Sequence, residues 1–87
     1  MNSVYRIYTE DVNRLEVKRL VAKTFDSFTI IPAIGIWQGS LEQSLIIEIV
    51  SDPLQLPIVR AVARSIKILN RQQAVLVTKS AIESELV

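Results

Sequence analysis

FTIIPAIGIWQGSLEQSLIIEIV, from Phe28 to Val50, is the stretch whose reading decides the fold. From Phe28 to Trp37 the chain is rich in β-branched residues and broken by Pro32 and Gly35, which makes a poor helix and an acceptable strand. Proline cannot donate to a ladder, so Pro32 places this strand at a sheet edge or in a bulge. Gly35 marks a bend or a close backbone approach. Gln38, Gly39 and Ser40 supply a turn, after which Leu45, Ile47 and Ile49 alternate with Ser44, Ile46, Glu48 and Val50. The segment therefore predicts a β-hairpin with one apolar face.

Outward toward the start, Asn13 followed by Glu16 is a capping-box-like signal, and Leu15, Leu20, Val21 and Phe25 form an apolar stripe for a first helix running to about Thr24. Before it, Val4 to Thr9 alternates Tyr5, Ile7 and Thr9 against Val4, Arg6 and Tyr8, a strand pattern. Outward toward the end, Ser51, Asp52 and Pro53 stop the hairpin, and Pro57 suits the first turn of a second helix. That helix reaches Asn70 and buries Val59, Val62, Ala63, Ile66 and Leu69. Asn70 to Gln73 form its exit, and Ala74 to Thr78 a short last strand. Two helices around a hairpin, with a strand at either end, predict an α+β ferredoxin-like βαββαβ sandwich. Its four-stranded antiparallel sheet has strands one and three in the middle, both helices on one face and the other face open. Residues 1–87 are read as one domain, with residues 79–87 a tail that is ordered, mobile or exchanged with a neighbouring copy.

Composition narrows the functions. Ten Lys and Arg against nine Asp and Glu leave a formal charge of +1, so no global field draws the chain to nucleic acid or an anionic membrane. With neither cysteine nor histidine, the common zinc sites, disulfides and thiol or Ser-His catalysis are excluded. No uninterrupted apolar run approaches the roughly 18–20 residues that span a bilayer, and the start lacks a secretory pattern, so a cytoplasmic protein without a membrane partner is expected. Apolar residues make up 49% of the chain, more than one small core needs, which points to a homodimer or higher oligomer.

Strand alternation places Arg6, Tyr8, Ile46 and Glu48 on the open sheet face. Arg6 and Glu48 can pair across neighbouring central strands. In the sharper reading they floor a pocket, with Tyr8 and Trp37 as aromatic walls and Arg6 holding an anion. Trp37, beside the turn, either closes the end of the core or anchors a partner. On the second helix, Arg60, Arg64, Lys67 and Arg71 recur at spacings that keep them within about 60° of one another. A solvated face explains such a stripe, and so does a partner with phosphates or acidic side chains. No RNP-type segment accompanies it. Glu10, Asp11, Asp26, Glu42, Glu48 and Asp52 are available as acids or bases, yet no motif singles one out, and neither a metal nor a cofactor is expected.

The segment Phe28 to Gly39, with Gly35-Ile-Trp-Gln-Gly39 its most specific part, then Glu42 to Glu48 and Gln73 to Val77, resembles a family of small uncharacterised bacterial and phage proteins. The resemblance implies the same ferredoxin-like domain and a phage or mobile-element origin, and it assigns no functional residue. The function expected is thus a non-enzymatic oligomeric binding protein, an accessory protein that takes a host protein or a small metabolite. One alternative is a nucleic-acid-associated module using the basic stripe. Another is a small enzyme with a pocket between subunits, with Glu48 and Tyr8 as its candidates.

Overall fold

The hairpin forms where the sequence places it. The computed structural model describes residues 1–87, with β1 (Asn2–Glu10), α1 (Arg14–Ala22), β2 (Thr29–Trp37), β3 (Ser40–Ser51), a 3₁₀ turn (Pro53–Gln55), α2 (Leu56–Leu69) and β4 (Leu76–Ile82). β2 and β3 pair from Thr29↔Glu48 to Trp37↔Ser40 and are joined by Gln38 and Gly39 alone. Both turn residues have positive φ, 49° and 80°, as a tight two-residue hairpin turn requires. A Cβ on Gly35 would lie 2.8 Å from Ser44 Oγ, so this glycine permits a close approach between the strands.

The strand order is β2-β3-β1-β4, all neighbours antiparallel, which is the ferredoxin-like βαββαβ arrangement with β1 and β3 central. Pro32 sits on the edge strand β2. One sheet face packs Tyr5, Ile7, Leu45, Ile47 and Ile49 against Val17 and Val21 of α1 and Val59, Val62, Ala63 and Ile66 of α2. Each of these strand residues alternates with an open-face residue, so a one-residue slip of register would expose the whole set. Tyr5 reaches through the core to donate its hydroxyl proton to the Asp52 carbonyl at 2.6 Å, which ties β1 to the exit of β3.

Three local expectations are corrected. Asn13 does not cap α1 through its side chain; its backbone is left-handed, and its amide donates instead to Asn70 Oδ1 at 3.2 Å. In the stripe of α1, Val21 is fully buried and Leu20 and Phe25 pack partly buried against the core as expected, but Leu15 remains 52% exposed and Val17 takes its place in the buried line. The last strand begins at Leu76 rather than Ala74 and continues to Ile82, paired along β1 from Tyr8↔Leu76 to Asn2↔Ile82. Lys79–Ile82 thus lie within β4, and beyond them Ser84 accepts a hydrogen bond from Asn2 Nδ2.

A candidate ligand cleft at one end of the open sheet face

On the open face, the even-numbered residues of β1 and β3 share a side with Ala33, Gly35 and Trp37 of β2 and with Leu76 of β4, as the pairings dictate. At the hairpin end this face folds into a cleft of about 350 Å³. Tyr8 and Trp37 both line it, together with Glu10, Glu42 and Ser44, and the loop after α2 closes the far side with Arg71, Gln72 and Gln73. Trp37 is 47% exposed, so it does not close the core.

A buried polar cluster holds that closing loop in place. Asn70 ends α2 and donates through Nδ2 to Thr9 Oγ1 at 3.0 Å. The Thr9 hydroxyl in turn donates to Gln72 Oε1, which also accepts from the Glu10 backbone N–H at 3.3 Å. Arg71, between them, adopts a left-handed backbone with φ of 53°. This reversal turns the chain off the helix and onto the cleft. Within the cleft Ser44 Oγ donates to Glu42 Oε1 at 3.3 Å. Glu10, Glu42 and Arg71 therefore line one cleft with Tyr8 and Trp37.

The residues expected on the open face separate into two groups. Arg6 and Glu48 stand directly opposite each other and pair at 2.9 Å, and neither lines the cleft that Tyr8 and Trp37 share. The Glu48 carboxylate, by hydrogen bonding, and then the Tyr8 phenol hold the Arg6 guanidinium above its ordinary value. The basic stripe also divides. Arg60, Arg64 and Lys67 are exposed and line a groove between α2 and β4, floored by Ala63, Val75 and Val77, whereas Arg71 has left the helix for the cleft. Periodicity alone extends the helix through Arg71; the left-handed residue after Asn70 breaks that extension. Glu10, Glu42, Ser44, Gln72 and Gln73 join the site without having been singled out together. Counting by twos from Tyr8 reaches Glu10, and counting by twos from Glu48 reaches Ser44 and Glu42, so strand alternation carried to the hairpin tip is the signal that finds three of them.

The chain contains no cluster of three or more side chains suited to hold a metal ion. No helix is long and apolar enough to cross a membrane. No protein-family model matches the sequence, and no curated protein matches it significantly. Solved structures do match in shape. A DUF3240 family protein from Shewanella baltica OS155 is similar over 99% of this chain and 94% of its own, with a TM-score of 0.75 and 8% identity. GlnK of B. subtilis, solved as its ATP complex, is similar over 91% of this chain and 81% of its own, with a TM-score of 0.58 and 18% identity. The de novo designed protein Foldit4 is similar over 94% and 97%, with a TM-score of 0.53 and 20% identity. At these identities the likeness carries the ferredoxin-like α+β fold, shared here with natural bacterial proteins and with a designed one.

Proposed function

We propose that this chain is a non-enzymatic binding protein that acts as an oligomer and takes a small planar polar molecule, of nucleoside or nucleotide size, in the cleft beside the β2–β3 hairpin. The observation that carries the reading is the meeting of Tyr8 and Trp37 with Arg71, Glu10 and Glu42 in one cleft of about 350 Å³. That volume lies within the usual range of small-molecule sites, on the order of 300–1,000 Å³. Aromatic rings offer stacking to a planar base, the carboxylates accept from N–H and O–H groups, and Arg71 matches an anionic end. The loop that supplies Arg71 is anchored before any ligand arrives, which lowers the ordering cost of binding. The GlnK structure, an ATP complex, makes ATP a sensible first probe. The surplus of exposed apolar side chains on the sheet and hairpin supports an oligomer. The resemblance over residues 28–48 extends the proposal to a cytoplasmic accessory role in a phage or mobile element, where the ligand is a host metabolite or the partner a host protein.

Native mass spectrometry beside the denatured spectrum reads subunit number and retained ligand together, and calorimetric titration with ATP and with adenosine then tests the class. Binding that is lost in Tyr8→Ala and Trp37→Ala, while Arg6→Ala keeps it, is the expected result. A bare monomer that takes up neither probe overturns the proposal.

A further inference from the structure

The outer edge of β4 is unpaired, since β1 occupies its other side. Unpaired edges are ordinarily blunted by proline, bulges or charges. The opposite edge follows that rule with Pro32 in β2, but the β4 sequence Leu76-Val-Thr-Lys-Ser-Ala-Ile82 has no proline, and its one charge, Lys79, is tied to the Pro53 carbonyl at 2.8 Å. Beside this edge runs the groove of Arg60, Arg64 and Lys67 with Val75 and Val77 on its floor. The chain's two ion pairs are Arg6–Glu48 and Arg14–Asp11, so these three cations have no acidic partner. The segment after β4 has the complementary character: Glu83 and Glu85 are unpaired, and Leu86 and Val87 are fully exposed.

We propose that Glu83–Val87 of one copy extends β4 as a strand along the β4 edge of a second copy, reciprocally, so that Glu83 and Glu85 meet Arg60, Arg64 and Lys67 of the partner subunit. This specifies the oligomer on which the proposed function rests. An antiparallel two-fold pairing of β4 with β4, centred on Ser80, sets Ile82 opposite the partner's Thr78, Glu83 opposite the partner's Val77 and Glu85 opposite the partner's Val75. Directly opposed residues in an antiparallel pair point to the same face. Val75 and Val77 point to the helix side, where the basic groove lies, so both glutamates arrive facing the cations. A register shifted by one residue would turn the glutamates to the open face and lose the match. Five residues at about 3.4 Å each reach about 17 Å, enough to pass Val75. The two four-stranded sheets then form one continuous sheet, and an isologous contact of this kind closes at the dimer. Ala74 lines both the basic groove and the cleft, so residues 83–87 in this register reach the rim of the cleft.

Sedimentation velocity over a concentration series tests this with four variants: truncation after Ile82, Arg64→Glu with Lys67→Glu, Glu83→Lys with Glu85→Lys, and all four charge reversals together. Circular dichroism confirms folding of each, since every altered residue is exposed. The expected result is a wild-type dimer that the truncation and each double reversal weaken by at least about tenfold, because like charges then face each other. The fourfold reversal restores it. A dimer unchanged by truncation overturns the tail exchange and leaves an oligomer of another surface, with the ligand reading intact. A wild-type monomer overturns the tail exchange too, and ATP titration of that monomer then decides the ligand reading separately. A wild-type monomer that binds a duplex oligonucleotide through Arg64 and Lys67, steeply weakened by salt, assigns the groove to nucleic acid instead.

Discussion

Replacing Asn70 by alanine tests the link between the fold and the cleft. Asn70 is a buried residue whose side chain donates to Thr9 Oγ1 at 3.0 Å and accepts from Asn13 Nδ2 at 3.2 Å; its contacts to the Glu10 carbonyl and to Gln72 Oε1 are longer, 3.4 and 3.3 Å. Two well-formed bonds at about 1 kcal/mol each, with a further amount of up to about 1 kcal/mol for the buried Thr9 hydroxyl left without its donor, give a loss of about 2–3 kcal/mol. In a domain of this size that lowers Tm by about 10–20 °C. Asn13→Gly provides the control, because glycine keeps the left-handed backbone at φ of 55° and removes only one part-buried bond, for a loss of about 1 kcal/mol or less. Urea unfolding followed by circular dichroism measures both, with an unchanged m-value expected, since the surface exposed on unfolding hardly differs. Ligand affinity should fall with Asn70→Ala as well, because Arg71 and Gln72 lose their anchor. A stability loss below about 0.5 kcal/mol would refute the reasoning, since it would mean that water replaces Asn70 at no cost.

The other predictions are narrower. Val17→Ala, in the fully buried line of α1, should cost about 2 kcal/mol, whereas Leu15→Ala, half exposed, should stay within about 0.5 kcal/mol; equal losses by urea unfolding would contradict the burial described here. Gly39→Ala should destabilise by about 1–2 kcal/mol with no clash, because φ is +80° and open space surrounds the position, and a neutral result in thermal melts would count against that turn. Hydrogen bonding from Arg14 holds Asp11 below the usual carboxylate range. Its stabilising share is therefore present above the unfolded value of about 3.9 and disappears as pH falls through the lower folded value. The stability curves of wild type and Asp11→Asn should differ at neutral pH and converge in strong acid; curves that stay parallel would rule the pair out.

The fold was legible because several local signals agree. Leu45, Ile47 and Ile49 alternate without interruption, Pro32 names an edge, Gly39 permits the tight turn, and Val59 to Ile66 keep a helical period, each consistent with the same βαββαβ order. Misreadings occur where local chemistry has two uses. Asn13 and Glu16 have the spacing of a capping box, but Asn13 also tolerates a left-handed backbone, and its bond to Asn70, 57 residues away, cannot be read from neighbours in sequence. Leu15 is apolar, but at five residues from Leu20 it stands about 140° around the helix from it, off the side on which Val17 and Val21 are buried and Leu20 packs. The span of β4 is set by its pairing with β1 through Asn2↔Ile82, a long-range partner that a local β-propensity reading of Ala74 to Thr78 does not contain.

The cleft was half legible for a similar reason. Alternation puts Tyr8 and Arg6 on the open face, while Trp37 is a candidate because it sits beside the hairpin turn. Alternation gives the face but not the position along it. Arg6 lies opposite Glu48 and is occupied there, while Tyr8 lies two residues nearer the hairpin end, where Glu10, Ser44 and Glu42 continue the same rows. What brings a guanidinium to that end is the single left-handed residue after α2, at Arg71, and the Thr9–Asn70–Gln72 cluster that fixes it. A helix-periodic reading assigns Arg71 to the stripe of Arg60, Arg64 and Lys67; the structure gives it to a different site. The two basic features consequently separate: Arg71 lines the cleft with Tyr8, Trp37, Glu10 and Glu42, and the three helix cations stand beside an unpaired strand edge. Under the proposed ligand and tail-exchange readings, substituting Arg71 should therefore alter ATP affinity and leave the proposed dimer alone, while substituting Arg64 and Lys67 should do the reverse. Loss of both functions from either change would mean that the two sites are one.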